Sequence, residues 1–293
     1  MEIIISRYSG YCFGVKRALK LTYSVLDDST NKNKKIFSFG PIINNPGVTE
    51  KLSKKGLVQI KNIDEIEDNS IFIVRSHGMP PDIINKIRVE KKSEIIDTTC
   101  PFVKKAQARA EFLSKNGYFV LVIGNKNHPE VLGIKGCISG NNYMVVENEK
   151  DIDKIPDNKK IGVVVQTTQT REKLLLITGR LLEKAREILI YNTICDTTWK
   201  RQDSTKKLAA DTDIMIIVGG KDSANTVHLK EISKEINDST YHIESFKEIR
   251  PEWFKNKKRA GISGGASTPM EDIIDVKRTI EKIGEQQLKM GKE

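Results

Sequence analysis

Apolar residues along this chain of 293 residues fall into two alternating patterns. One is the short continuous run: Ile36–Phe39, Ile71–Val74, Tyr118–Ile123, Ile161–Val165, Ile214–Val218 and Ala260–Ile262. The other is helical spacing, as in Val15, Ala18, Leu19 and Leu26, or in Val103, Ala106, Ala110 and Leu113, and more weakly in Trp199, Leu208 and Ala209. Unbroken runs too short for helices read as strands buried on both faces, and helices between them as the crossovers of a parallel sheet. Leu174 to Leu189 reads as one such crossover helix. Thr268-Pro269-Met270-Glu271 fits a capping box with proline at the first helical position and predicts a last helix starting there. The fold class is α/β.

Each run ends in a loop of small and polar residues. The endings are Gly40-Pro-Ile-Ile-Asn44-Asn45-Pro46, Arg75-Ser76-His77-Gly78, Gly124-Asn-Lys-Asn-His128-Pro-Glu130, Gln166-Thr167-Thr168, Gly219-Gly-Lys-Asp-Ser223-Ala224-Asn225 and Ser263-Gly-Gly-Ala-Ser267-Thr268-Pro269. Ligands of α/β sheets bind beyond the carboxyl ends of the strands, so these loops are the place to look for chemistry.

Three of the four cysteines share a setting just before a basic helical segment: Gly-Tyr-Cys12-Phe-Gly-Val-Lys-Arg-Ala, Thr-Thr-Cys100-Pro-Phe-Val-Lys-Lys-Ala and Thr-Ile-Cys195-Asp-Thr-Thr-Trp-Lys-Arg. The recurrence predicts three similar modules, residues 1–97, 98–193 and 194–293, each giving one thiolate to a shared centre. Such a centre is either structural zinc completed by a histidine or a 4Fe-4S cluster with one iron lacking a protein ligand. Closed zinc sites usually use closely spaced ligand pairs, and no Cys-x-x-Cys occurs, which favours the open cluster. Cys137 lacks the helix-start setting and reads as a structural residue.

Composition narrows the rest. The hydrophobic and charged fractions, 38% and 30%, are those of a water-soluble globular protein. No apolar run approaches the roughly 20 residues of a membrane span. Met1-Glu-Ile-Ile-Ile-Ser has no basic lead of a secretory signal, so a cytoplasmic location is expected, and with it thiols rather than disulfides. The net charge of +10 suits anionic partners, yet Lys and Arg are dispersed and aromatic residues make up only 6%. Nucleic acid is therefore not expected. No Walker A sequence and no Gly-x-Gly-x-x-Gly after a strand is present, which points to a small anion rather than a nucleotide. His77 and His128 lie in the strand-end loops. Glu130 could donate a proton if burial raised its pKa, although after Pro129 it also suits an ordinary helix start. Gln166, Thr167, Thr168, Ser223, Asn225 and Ser267 offer uncharged donors of the kind that cradle phosphate oxygens, or of the kind that merely make turns.

Taken in order, the strings around Cys12, Ser-His77-Gly, Asp-Thr-Thr-Cys100-Pro, His128-Pro-Glu130-Val, Gln166-Thr167-Thr168, Thr-Ile-Cys195-Asp-Thr-Thr and Gly-Gly-Ala-Ser267-Thr-Pro resemble the LytB/IspH family of 4-hydroxy-3-methylbut-2-enyl diphosphate reductases. The likeness covers nearly the whole chain. It implies three α/β modules in pseudo-threefold arrangement around a central 4Fe-4S cluster on Cys12, Cys100 and Cys195, the fourth iron being open to the substrate hydroxyl. It further implies that His77, His128, Thr168, Ser223, Asn225 and Ser267 hold the diphosphate. Glu130 and Thr167, with His128, would serve proton delivery. The implied reaction is two-electron reductive dehydration of an allylic diphosphate in the non-mevalonate isoprenoid pathway, giving isopentenyl and dimethylallyl diphosphates, with electrons from a ferredoxin, flavodoxin or similar donor.

Two positions depart from the family pattern. Asn44 stands where a substrate-contacting histidine is usual, and Ala224 where the family has a second serine. Asparagine cannot become cationic, so loss of a charge-assisted contact would weaken binding by about 1 kcal/mol. These departures keep open a related reductive dehydratase with an altered substrate, and metal content keeps open a non-catalytic, zinc-stabilised anion-binding protein.

Overall fold

The computed structural model describes residues 1–157 and 159–290. The described chain forms twelve strands in three parallel sheets of four, and it divides into two compact units. One unit comprises Phe13–Ile43 and Gly47–Cys195; the other comprises Met1–Cys12, Asn44–Pro46 and Asp196–Glu293. They are called here the two-sheet unit and the one-sheet unit.

The two-sheet unit contains β2 (Ile36–Phe39), β3 (Leu57–Ile60), β4 (Ile71–Val74) and β5 (Glu94–Asp97) in the order β3-β2-β4-β5. Its second sheet, β6 (Phe119–Ile123), β7 (Tyr143–Val146), β8 (Lys159–Val165) and β9 (Ala185–Ile190), has the order β7-β6-β8-β9. The one-sheet unit orders β10 (Ile214–Val218), β11 (Thr240–Ile243) and β12 (Arg259–Gly264) as β11-β10-β12, and completes the row with β1 (Glu2–Ile5) beside β12. All three sheets thus repeat one order, with the strand that leads to a cysteine at the edge: β5 before Cys100, β9 before Cys195 and β1 before Cys12. The cysteine spacing groups Glu2–Ile5 with residues 1–97, whereas its hydrogen-bonded partner is Arg259–Ile262.

The central strands are apolar on both faces because both are covered. Leu121, Ile123, Val163 and Val165 join one buried cluster and Val120, Val122 and Val164 another, which is the period-two alternation of a strand read from its two sides. In β10, Ile214, Ile216 and Val218 face one cluster and Met215 and Ile217 the other. The covering helices are α1 (Phe13–Leu26), α2 (Pro46–Lys54), α3 (Pro81–Glu90), α4 (Pro101–Lys115), α5 (Pro129–Lys135), α6 (Arg171–Leu181), α7 (Asp196–Ala210), α8 (Ala224–Lys234) and α9 (Met270–Met290). In α9, Ile273, Val276, Ile280 and Ile283 are buried at helical spacing. Among the described residues no helix is long and apolar enough to cross a membrane.

Two local expectations are corrected. The segment from Leu174 to Leu189 is not one helix: α6 stops at Leu181, and Ala185–Ile190 is an edge strand beside β8 whose Ala185 and Ile188 pack on the sheet core. Parallel pairing to β8 overrides the helical spacing of its apolar residues. At the last helix, the Thr268 hydroxyl donates to the Val218 carbonyl at 2.9 Å, tying the loop to β10, and α9 starts at Met270.

Candidate active site

Pro101, Pro129 and the loops ahead of them set the polar groups of the two-sheet unit. Proline supplies the first residue of α4 and of α5, where its fixed φ suits a helix start and its missing N–H costs nothing. His128 then caps α5: its Nδ1 accepts the Glu130 N–H at 3.2 Å. An imidazole that accepts at Nδ1 carries its proton on Nε2. Glu130, on the first turn of α5, is only 1% exposed. Its carboxylate receives the Thr167 N–H at 2.6 Å and the Thr167 hydroxyl at 2.9 Å. Burial raises its pKa to about 7 against those two hydrogen bonds, which oppose the rise. A carboxyl group poised at neutral pH, with a hydroxyl on one of its oxygens, can hold a proton and pass it through that hydroxyl.

His77 lies in the loop after β4, its ring edge-on to that of His128 with centroids 5.5 Å apart. Part of the ring reaches the surface, but Nδ1 is buried without a partner. Burial first, then the charges of His128 and Arg75, push its pKa down to about 3, so the imidazole is neutral. Gly78, next in the loop, has φ +77°, and an added Cβ would come within 3.2 Å of the Thr99 methyl, so it must both take a left-handed backbone and leave room for α4's approach. Only glycine meets both demands. Thr168 takes a hydrogen bond at 2.8 Å from Gln166 Nε2, and Gln166 Oε1 accepts the Asn125 N–H, which ties the loop after β8 to the loop after β6.

A separate polar cluster stands in the one-sheet unit. Ser223 is the N-cap residue of α8, but its side chain makes no capping hydrogen bond. The Ser267 hydroxyl donates to the Asn44 carbonyl at 2.9 Å and lies 3.5 Å from the Ser223 hydroxyl. Asn225, in the first turn of α8, is 4% exposed, and neither end of its amide has a partner; the Thr226 hydroxyl is also unpartnered. Leaving a buried amide unsatisfied costs roughly 1–3 kcal/mol, which a ligand bonding to it would recover. With open hydroxyls at the N-terminus of an 11-residue helix, the group is suited to an anion. Ala224 opens that helix and contributes no polar side chain. The Asn44 amide donates to the Asp222 carbonyl at 3.2 Å, so in this structure it holds the loop rather than pointing a donor into the cluster.

Cys12, Cys100 and Cys195 are half-buried thiols, none in a disulfide. Their backbone N–H groups make one repeated bond: Cys100 to the Ser76 carbonyl at 3.0 Å, Cys195 to the Thr167 carbonyl at 3.0 Å and Cys12 to the Ala266 carbonyl at 3.2 Å. Each cysteine is therefore tied to the loop after the third strand of its own sheet. Arg201 of α7 reinforces the last of these, its buried guanidinium donating to the Gly10 carbonyl at 2.8 Å and to the Gly264 carbonyl. Cys100 and Cys195 also stand at the N-termini of 15-residue helices, where the dipole favours the negative charge of a thiolate-bound centre. Among the described residues no three His, Cys, Asp or Glu side chains are gathered into a metal-binding group. Thiols from well-separated segments, each ahead of a helix, are of the kind that hold iron–sulfur clusters. Cys137 does not belong to it: its thiol donates to the Gly133 carbonyl inside α5, and burial pushes its pKa up to about 11.

Sequence reasoning gave no role to Arg75, Gln107, Arg201 or Thr226. Arg75 adjoins the Ser76-His77-Gly string and Arg201 ends the basic stretch after Cys195, signals that were there to use; Gln107 and Thr226 lie inside ordinary helical spacing and carry none.

The comparisons with known proteins bear on the family and the fold. The family model described as LytB protein matches residues 3–281. A 4-hydroxy-3-methylbut-2-enyl diphosphate reductase of Aquifex aeolicus is 43% identical over 290 residues, covering 98% of this chain and 99% of its own. That of Citrifermentans bemidjiense is 40% identical, covering 96% and 99%. Among solved structures, an (E)-4-hydroxy-3-methyl-but-2-enyl diphosphate reductase, described as the terminal enzyme of the non-mevalonate pathway, superposes with a TM-score of 0.70 at 43% identity, covering 96% of this chain and all of its own. The Plasmodium falciparum reductase gives 0.86 at 29% identity, covering 96% and 87%. With the same strand order repeated in three sheets and relatives at 40% identity or more along almost their full length, the chain belongs to the LytB family.

Proposed function

We propose that this protein reduces 4-hydroxy-3-methylbut-2-enyl diphosphate, the activity for which its relatives are named. The balance is substrate plus two electrons plus two protons giving isopentenyl or dimethylallyl diphosphate plus water; the allylic C–O bond breaks and the hydroxyl leaves as water. The observation that carries the reading is the buried Glu130 carboxyl with its pKa near 7, in contact with the Thr167 hydroxyl. A departing hydroxyl needs a proton at that moment, and proton donors whose pKa lies near the working pH supply it best.

Cys12, Cys100 and Cys195 would hold a 4Fe-4S cluster with one iron lacking a protein ligand. Bound there, such a cluster supplies the two electrons, one at a time, and a Lewis-acidic iron for the substrate oxygen. The chain's own side chains do the rest. Glu130 keeps a proton at neutral pH and hands it through the Thr167 hydroxyl, and Thr168 steadies that loop through Gln166. Neutral His77 and its neighbour His128 would contact the diphosphate. Ser223, Asn225 and Ser267 receive its remaining oxygens, which satisfies the orphaned Asn225 amide. The electrons would come from a reduced ferredoxin or flavodoxin, acidic proteins that a chain of net charge +10 attracts. Four thiols suit the reducing cytoplasm.

Anaerobic purification followed by cluster reconstitution tests this. Brown protein with about four irons per chain, turning over the hydroxymethylbutenyl diphosphate with dithionite and viologen, is the expected result. Colourless protein after reconstitution sinks the proposal. One observation favours a related substrate instead: the Asn44 amide is engaged on Asp222 where a histidine is usual. Comparing turnover of Asn44→His on the same substrate decides between them.

A further inference from the structure

Arg75 follows the last residue of β4, and burial lowers its pKa to about 10 with no neighbouring charge to offset the loss of water. Among the described residues its guanidinium makes no hydrogen bond and no ion pair, and its Nε is buried without a partner. Arg75 as a whole is half-buried, so it is Nε that is cut off from water. A half-buried guanidinium with no protein partner can serve as a planar donor fork for an anion.

Arg75 lines a cavity of about 340 Å3 in the two-sheet unit, large enough for a small ligand. Phe39, Met79, Ile83 and Leu132 give it apolar walls, and Lys135 of α5 adds a second cation. Asp82, on the first turn of α3, is the single carboxylate of the lining, so the cations outnumber it. Its lining continues the histidine loops along the chain: Gly78 and Met79 follow His77, and Pro129 follows His128.

We propose that this cavity is a second, non-catalytic site that takes an amphipathic anion, with a phosphate or diphosphate head on Arg75 and Lys135 and a short hydrocarbon tail along Phe39, Met79 and Ile83. A head group alone would leave the apolar walls wet, and an uncharged hydrocarbon would leave Arg75 unpaired. A ligand seated there presses on the two loops that carry His77 and His128, so it alters turnover without competing for the catalytic groups.

The test is calorimetric titration of the cluster-loaded, full-length protein with geranyl diphosphate, inorganic diphosphate and octanoate, with Leu132→Asp and Arg75→Gln as variants. Leu132 is 39% exposed, so a carboxylate there repels an anion without disturbing the core. Asn225→Ala, which weakens the other anion cluster, separates the two sites. The expected result is a geranyl diphosphate binding event that persists in Asn225→Ala, weakens at least about tenfold in Leu132→Asp and in Arg75→Gln, and is tighter than that of inorganic diphosphate. Octanoate that binds as tightly as geranyl diphosphate overturns the phosphate head. Geranyl diphosphate binding that vanishes in Asn225→Ala, that is unchanged in Leu132→Asp, or that inorganic diphosphate matches in strength overturns it.

Discussion

The two polar clusters use the same construction, loops beyond the ends of parallel strands, yet burial acts on them differently. In the two-sheet unit it sets protonation states: Glu130 is held near 7 and His77 near 3, shifted in opposite directions but each towards its neutral form. In the one-sheet unit Ser223, Asn225 and Ser267 have no proton to gain or lose near neutrality. Burial there leaves an unsatisfied amide instead. On the proposed function, Glu130 and Thr167 would move a proton, while the uncharged Ser223, Asn225 and Ser267 could only help to hold the anion.

The largest effect should come from interchanging these roles. Glu130→Gln keeps the shape and an acceptor for Thr167 but cannot release a proton, and should lower kcat by about 10²–10⁴ with little change in KM. Asn225→Ala should do the reverse, raising KM about tenfold for a lost hydrogen bond to a charged oxygen with kcat nearly kept. Steady-state kinetics with a chemical reductant reads both. Equal effects of the two variants on kcat would break the comparison.

Stability against pH sharpens it further. The folded-state pKa of Glu130 is raised from 4.5 to about 7, so the folded protein binds the extra proton and loses stability as pH climbs through that window, by about 3 kcal/mol in all. His77 is lowered from 6.5 to about 3, so the unfolded chain binds the extra proton and stability rises with pH over that range. Between 4.5 and 6.5 the two slopes oppose. Urea unfolding of Glu130→Gln should therefore show stability rising with pH where the wild type is nearly flat, His77→Asn should show it falling, and Asn225→Ala should follow the wild type. Parallel curves for all four proteins would contradict the assignment of the two groups.

How far these features can be read from sequence depends on where each interaction lies along the chain. The six interior runs are visible because burial on both faces demands unbroken apolar residues, as in Ile71–Val74 and Ile214–Val218. The edge strands are not, since Ala185–Ile190 is half exposed and its partner β8 is supplied by the fold. The pairing of Glu2–Ile5 with Arg259–Ile262 joins segments more than 250 residues apart, and no local pattern encodes it. Polar residues at the strand ends were visible for the same reason as the strands. The contact of Glu130 with Thr167 spans 37 positions, and the partnerless state of Arg75 and Asn225 is a property of packing alone.

The smallest effect concerns Asn44, which belongs to the uncharged cluster by composition and to the charged one by family pattern. Its amide bonds the Asp222 carbonyl, and its own carbonyl accepts from Ser267, so it braces the loop ahead of α8. Asn44→His restores a side chain able to carry charge beside a diphosphate. If the substrate is the one proposed, KM should fall by about fivefold, the worth of roughly 1 kcal/mol for a charge-assisted hydrogen bond offset by the lost brace. The improvement should be greater below pH 6.5, where an unperturbed imidazole is protonated, and Asn44→Gln should not reproduce it. A histidine that leaves KM unchanged, or raises it at every pH, would mean that this cluster is tuned to a different anion and that its neutrality is part of the design.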